Sequence, residues 1–313
     1  DMAIDRGFTT IAVFTRGRGA YAWPLPTGPL GGPVNTPTVT STGTQSATST
    51  TTVTAGPSST RTPTRTATSV PTACTIQFQD VPPSEEQSSF YPYVRCLACR
   101  GVLSGYPCGS TNPQTGGNEP CGTSGNPYFR PGNNITRGQI AKVVSNAAGF
   151  NDDVEGQTYA DVPPSDDPSS FYVYVERLTA HNVMGGYPCD ANVDESCDDQ
   201  NRPYFRPSAY ATRAQLAKIV SNAAGFENNV KGQTFADVPP PDEENDPSSF
   251  YLYVERLAQR GVMGGYPCGS DGEDCDDQNR PYFRPGNLVT RAQAAKIVAN
   301  TFYPNCQTPG RPR

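Results

Sequence analysis

Three arginines sit in one repeated setting: Thr136-Arg-Gly-Gln139, Thr212-Arg-Ala-Gln215 and Thr290-Arg-Ala-Gln293. A threonine followed three residues later by glutamine is the capping box that starts a helix. Arg137, Arg213 and Arg291 therefore fall in a first helical turn, facing the positive end of the macrodipole at a cost of roughly 0.3–1 kcal/mol. Arginine beside the free amides of a helix N-terminus suits a carboxylate, such as a pyruvyl group or a uronic acid. The other use is structural, each arginine pairing with an acid on a neighbouring copy. The residues alone leave both open.

Acids and cysteines crowd the loops. Asp190, Asp194 and Asp199 in one loop and Asp271 and Asp276 in another offer the hard oxygen ligands that Ca2+ prefers. The spacing of an EF-hand is missing, and the equivalent first loop has Gly-Ser-Thr-Asn instead. A solvated acidic loop is the default, Ca2+ the sharper reading, and no other cofactor is called for. Cys108/Cys121, Cys189/Cys197 and Cys268/Cys275 occupy equivalent places, so three loop-closing disulfides are the simplest pairing. Cys74, Cys96, Cys99 and Cys306 remain, for tethering the domain ends or bonding another subunit. The lone histidine, His181, stands where a later copy has Arg260, on a helix surface.

These residues are placed by an internal repeat with a period near 76–81 residues. Phe78-Gln-Asp-Val81 returns as Tyr159-Ala-Asp-Val162 and Phe235-Ala-Asp-Val238. Gly105-Tyr-Pro-Cys108 returns at 186–189 and 265–268, and Tyr128-Phe-Arg-Pro131 at 204–207 and 282–285. Each copy reads as two helices joined by a long loop. The first helix starts near Ser89, Ser170 and Ser249, residues suited to an N-cap. The second starts at the capping box and presents one apolar face, Ile140, Val144 and Ala147 in copy one. Two short helices cannot bury a core alone. Three copies around a pseudo-threefold axis can, so the fold class is an all-α bundle with disulfide-stapled loops.

Together these marks resemble the S-layer homology domain, over about 74–306. The resemblance implies a pseudo-trimeric helical bundle, no enzymatic activity and attachment at prokaryotic cell surfaces. It also implies an anionic cell-wall polysaccharide bound in grooves between repeats, contacted by Arg137, Arg213 and Arg291. All three copies have Gln139, Gln215 or Gln293 where the family has Glu, and copy one has Gly138 where the family has Ala.

Ahead of the repeats lie two other zones. Residues 1–35 hold one strand-like run, Phe8 to Phe14, rich in β-branched and aromatic residues. Nothing near it is expected to pair its edges, so Phe8, Ile11, Val13 and Phe14 are candidates for self-association with another copy. Residues 36–73 contain 16 Thr, 6 Ser and 4 Pro and no acid, a stalk suited to O-linked sugar at Thr38, Thr40, Thr42, Thr50, Thr51, Thr52, Thr62 and Thr64. The expected organisation is thus 1–35 extended, 36–73 stalk, repeats at 74–150, 151–226 and 227–306, and a tail at 307–313.

Composition narrows the class. Hydrophobic residues are 35% of the 313, with 30 Gly and 32 Pro, which argues against one large α/β core with a buried catalytic cleft. A net charge of −6 argues against a partner bound through nucleic-acid phosphates. The longest apolar runs are far short of a membrane span. Ten cysteines in a loop-rich chain point to an oxidising, extracellular compartment, and a chain opening at Asp1 points to a leader removed from this numbering. Two functions follow: a cell-surface anchor, or a subunit that polymerises by donating its N-terminal strand.

Overall fold

A computed structural model describes the backbone of residues 2–4, 10–14 and 20–24, and residues 74–306 apart from 84–88, 168–169 and 242–249. The chain divides into two units, 1–63 and 64–313. Phe8, the Thr-rich segment and the tail at 307–313 lie outside the described residues.

In the first unit, β1 (Met2–Ile4), β2 (Thr10–Phe14) and β3 (Ala20–Pro24) form an antiparallel sheet in that order. Ala12 lies opposite Ala3 on one side and Ala22 on the other. The expectation of an unpaired strand is therefore corrected: β2, which carries Ile11, Val13 and Phe14, is the central strand. A strand with both edges hydrogen-bonded has no edge left to donate.

Among the described residues of the second unit six helices follow one another: α1 (Tyr91–Cys99), α2 (Arg137–Ala148), α3 (Tyr172–Ala180), α4 (Arg213–Ala223), α5 (Tyr251–Gln259) and α6 (Arg291–Phe302), then a 3-10 turn at Pro304–Cys306. The even-numbered helices start as the sequence predicts. Thr136, Thr212 and Thr290 each accept from the backbone N–H three residues on, and the glutamine there returns a bond to the cap. The odd-numbered helices start one residue later than expected. Their N-caps are Phe90, Phe171 and Phe250, without a side-chain cap bond. Ser170 still contributes, its Oγ accepting from Tyr172 N at 3.1 Å.

The helices pair across copies rather than within them. α2, α4 and α6 contact one another around the pseudo-threefold axis, and α3 packs on α2, α5 on α4 and α1 on α6. Each inner helix thus takes its outer partner from the next copy, and the third copy takes its partner from the first. Equivalent leucines, Leu97, Leu178 and Leu257, are fully buried in these seams. Each contributes roughly 1.5–3 kcal/mol of burial. A long loop inside each copy is what makes the exchange possible, since it carries the chain around the bundle between one helix and the next.

Candidate functional site

The three copies are joined at the axis by a closed ring of backbone hydrogen bonds. Ile135 N donates to Val289 O, Val289 N to Ala211 O, and Ala211 N to Ile135 O, at 2.9, 3.1 and 3.2 Å. Just beyond, the first turns of the inner helices are also spoken for. Arg137 N and Gly138 N donate to Ala209 O and Pro207 O of the second copy. Arg213 N and Ala214 N donate to Asn287 O and Pro285 O of the third, and Arg291 N and Ala292 N to Asn133 O and Pro131 O of the first. The amides expected to be free for a carboxylate are thus consumed by the neighbouring copy.

The arginine side chains follow the same route. Arg137 Nε donates to Phe205 O at 2.8 Å and its Nη2 to Gly185 O at 2.7 Å. Arg213 donates to Phe283 O and Gly264 O, and Arg291 to Phe129 O and Ser104 O. All three are buried, at 5%, 5% and 8% exposure. Their hydrogen-bond partners are neutral carbonyls, not the neighbouring acid that the structural reading anticipated. Burial pushes each guanidinium below its ordinary pKa, yet an arginine keeps its charge in a protein. The positive field of each is left without a hydrogen-bonded carboxylate against it.

A second set of arginines, which sequence reasoning passed over, builds the floor beneath them. Arg130, Arg206 and Arg284 all have a left-handed backbone, with φ of 61°, 59° and 59°. That conformation costs a non-glycine residue roughly 1–2 kcal/mol. It is held by the aspartate of the opening motif, for Asp80 accepts from both Phe129 N and Arg130 N at 2.7 and 2.6 Å, as Asp161 and Asp237 do in their copies. The guanidinium then grips a glutamate of the loop with two bonds: Arg130 to Glu119, Arg206 to Glu195, Arg284 to Glu273. One signal was available in the sequence. The glutamate precedes its arginine by 11 residues in every copy, although the loops differ in length.

Between the two sets lies a tyrosine. Tyr106 carries the Arg130 guanidinium 3.8 Å from its ring centre and Arg291 at 5.0 Å. Tyr187 carries Arg206 and Arg137, and Tyr266 carries Arg284 and Arg213, in the same way. The tyrosine hydroxyl meets the capping glutamine, Gln139 Nε2 donating to Tyr106 Oη at 2.8 Å.

Grooves open above this stack, between copies. One, of about 670 Å3, is lined by Arg291, Tyr106, Gln139 and Lys142, with Phe171 and Tyr174 on its wall. Another, of about 260 Å3, is lined by the equivalent Arg213, Tyr266, Gln293 and Lys296, with Phe90 on its wall. The residues lining the two grooves include no aspartate or glutamate. Arg137, Tyr187, Gln215 and Lys218 occupy the third equivalent position, with Gln215 donating to Tyr187 Oη at 3.4 Å.

Residues 158–217 and 241–295 match the family model of the S-layer homology domain. These two segments are S-layer homology repeats. The first copy lies outside both matched segments and joins the repeats by its geometry, with the same capping box, tyrosine stack and left-handed arginine. Among similar proteins, cell surface glycoprotein 1 of Acetivibrio thermocellus is 24% identical over 208 residues, covering 64% of this chain and 7% of that protein. A cellulosome-anchoring protein of the same organism is 26% identical over 174 residues, covering 54% of this chain and 32% of that protein. The chain therefore spans under a third of the length of either relative.

The three repeats carry loops stapled at Cys108–Cys121, Cys189–Cys197 and Cys268–Cys275. Cys74–Cys99 and Cys96–Cys306 take up the remaining four cysteines. Among the described residues, no three of the loop carboxylates gather within reach of one cation; Asp190 sits only with Cys189 and Cys197, whose sulfurs are bonded to each other. Asp276 is taken by Arg280 and Asp271 by Arg284, while Asp194 and Asp199 are exposed. Asp271 and Asp276 serve the fold of their own repeat loops.

His181 shows how closely the repeats substitute for one another. Its ring stacks on Phe150 at 3.9 Å, and Nε2 meets Asp152 at 2.7 Å. In the next repeat Arg260 lies over Phe226, also at 3.9 Å.

Proposed function

We propose that this chain is a non-enzymatic protein of the prokaryotic cell surface that holds an anionic wall polysaccharide in the grooves between its S-layer homology repeats. The observation that carries this reading is the charge of the grooves. On a chain of net charge −6, each lined groove presents one arginine and one lysine and no acid. Arg291 and Arg213 spend their hydrogen bonds on carbonyls, so their charge is available to a sugar carboxylate at the groove. Lys142 and Lys296 line these grooves, with their ammonium groups over the rings of Tyr174 and Tyr93, and carry the compact charge and N–H donors of a lysine. The tyrosine and phenylalanine rings give the flat apolar faces on which a sugar ring packs. The repeat family and the cell-surface and anchoring names of the two relatives support the same location and the same non-enzymatic role.

The Thr-rich composition of segment 36–73 suits an O-glycosylated stalk. An intact mass equal to that of the bare polypeptide removes the sugar from this reading.

Binding is tested with isolated wall polysaccharide in a sedimentation assay. Replacing Lys142, Lys218 and Lys296 by alanine is expected to weaken binding at least tenfold, with helix content unchanged, and raised salt should do the same. Binding that ignores both the lysines and the carboxyl groups of the polymer sinks the proposal.

A further inference from the structure

Three joints close the ring of repeats. The backbone itself crosses two of them, from the first copy to the second and from the second to the third. The last joint, between α6 and α1, has no backbone across it and is bridged by Cys96–Cys306. One turn further along α1, Cys99 is bonded to Cys74, where the described part of the second unit begins. Positions three apart on a helix are neighbours on one face, so both ends of the bundle are fastened side by side to a single helical turn. Only the first copy has cysteines there; the others have Arg177 and Ala180, or Arg256 and Gln259.

We propose that this turn of α1 is a covalent load bypass. Tension entering before Cys74 and leaving beyond Cys306 has a short bonded route: Cys74 to Cys99, back along the backbone to Cys96, then to Cys306. The Cα atoms at each crossing are 5.7 Å apart. Everything else between 74 and 306 lies off that route and bears no end-to-end load, whether the helices are folded or not. Cys96 and Cys306 are 8% and 7% exposed, which keeps the ring-closing bond away from attacking thiolates. When load leaves instead through a groove ligand, Cys99 delivers it into α1 and spares the segment that precedes the helix. The function added to the bundle is that of a link that stretches little and stays closed under pull.

Single-molecule force spectroscopy on the full chain, held at residues 1 and 313, tests this. Without reductant, the extension should be that of residues 1–73 and 307–313 plus a few residues of α1. Each release is counted less the three residues of α1 already on the native route. Cys74→Ser with Cys99→Ser should add only about 19 residues, roughly 65 Å at ~3.4 Å per residue. Cys96→Ser with Cys306→Ser should add about 204 residues, roughly 690 Å. Reductant on the native protein should release about 229 residues, roughly 780 Å. A step of several hundred ångströms from the oxidised native protein overturns the bypass, as does equal release from the two variants. The native arms, with and without reductant, decide the matter even if a variant fails to fold.

Discussion

Arg291 donates from Nε to the carbonyl oxygen of Phe129 at 2.8 Å, across 162 residues of sequence. The contact closes the ring, because it joins the last repeat to the first as Arg137 joins the first to the second. The arginine holds neighbouring copies together and, in the same place, charges the groove between them. Arg291 thus has a structural role with carbonyls in place of the expected acid, and under the proposed function the same side chain meets the polysaccharide.

Removing that side chain should therefore cost stability before it costs binding. Arg291→Ala leaves the buried carbonyl of Phe129 and the part-buried carbonyl of Ser104 without these donors. A loss of about 1–3 kcal/mol in unfolding free energy is expected, read from urea titration. Arg291→Lys should recover only part, since one ammonium does not reproduce the spread of a guanidinium.

Gly138 lets the ring of Phe171, which lines the larger groove, lie close against α2. A Cβ at this position would lie 2.5 Å from the Phe171 ring. The other copies have Ala214 and Ala292 there, and Phe90 lines the smaller groove of about 260 Å3. Gly138→Ala should displace Phe171 and shrink the 670 Å3 groove. The expected stability change is modest, under about 1.5 kcal/mol, because the sister copies accommodate a methyl. Polysaccharide binding should lose one class of site, visible as reduced stoichiometry in titration calorimetry.

Acid should loosen the loops in a defined window. The hydrogen bond from Arg130 holds the Glu119 carboxyl below its ordinary pKa, and Arg206 does the same for Glu195. A depressed folded-state pKa means stability that is present above the unfolded value, about 4.3, and lost as pH falls through the folded one. Thermal midpoints should be flat with respect to these two groups from pH 7 to pH 5 and fall below about pH 4. Glu119→Gln with Glu195→Gln should start lower and fall less steeply.

The disulfides should differ in worth by the length of chain they close. Cys268–Cys275 spans 7 residues and Cys96–Cys306 spans 210. Chain entropy puts their contributions at roughly 2 and roughly 5 kcal/mol. Serine pairs at the two sites, compared by denaturant midpoint, should rank in that order. The opposite order would mean that the unfolded chain is not governed by loop closure.

Much of this protein is decided locally and so is readable from the chain. The capping boxes at Thr136, Thr212 and Thr290 need only residues within one turn, and the helices start there. The loop cysteines are 7 to 13 residues apart, so their bonds form within single loops. The threefold copy number follows from repetition alone. Other features depend on contacts between distant segments, which no local pattern records. The even-numbered helices take their outer partners from the next copy, and β2 gains a neighbour on each side. The partners of Arg137, Arg213 and Arg291 are backbone carbonyls, which every residue carries and no side-chain pattern marks. Acidity misleads for the same reason: Glu119 and Asp80 look like loop charges until folding brings Arg130 onto both. Residue type determined which groups carry charge and which segments start helices; only the closing of the ring decided which of those charges face a groove.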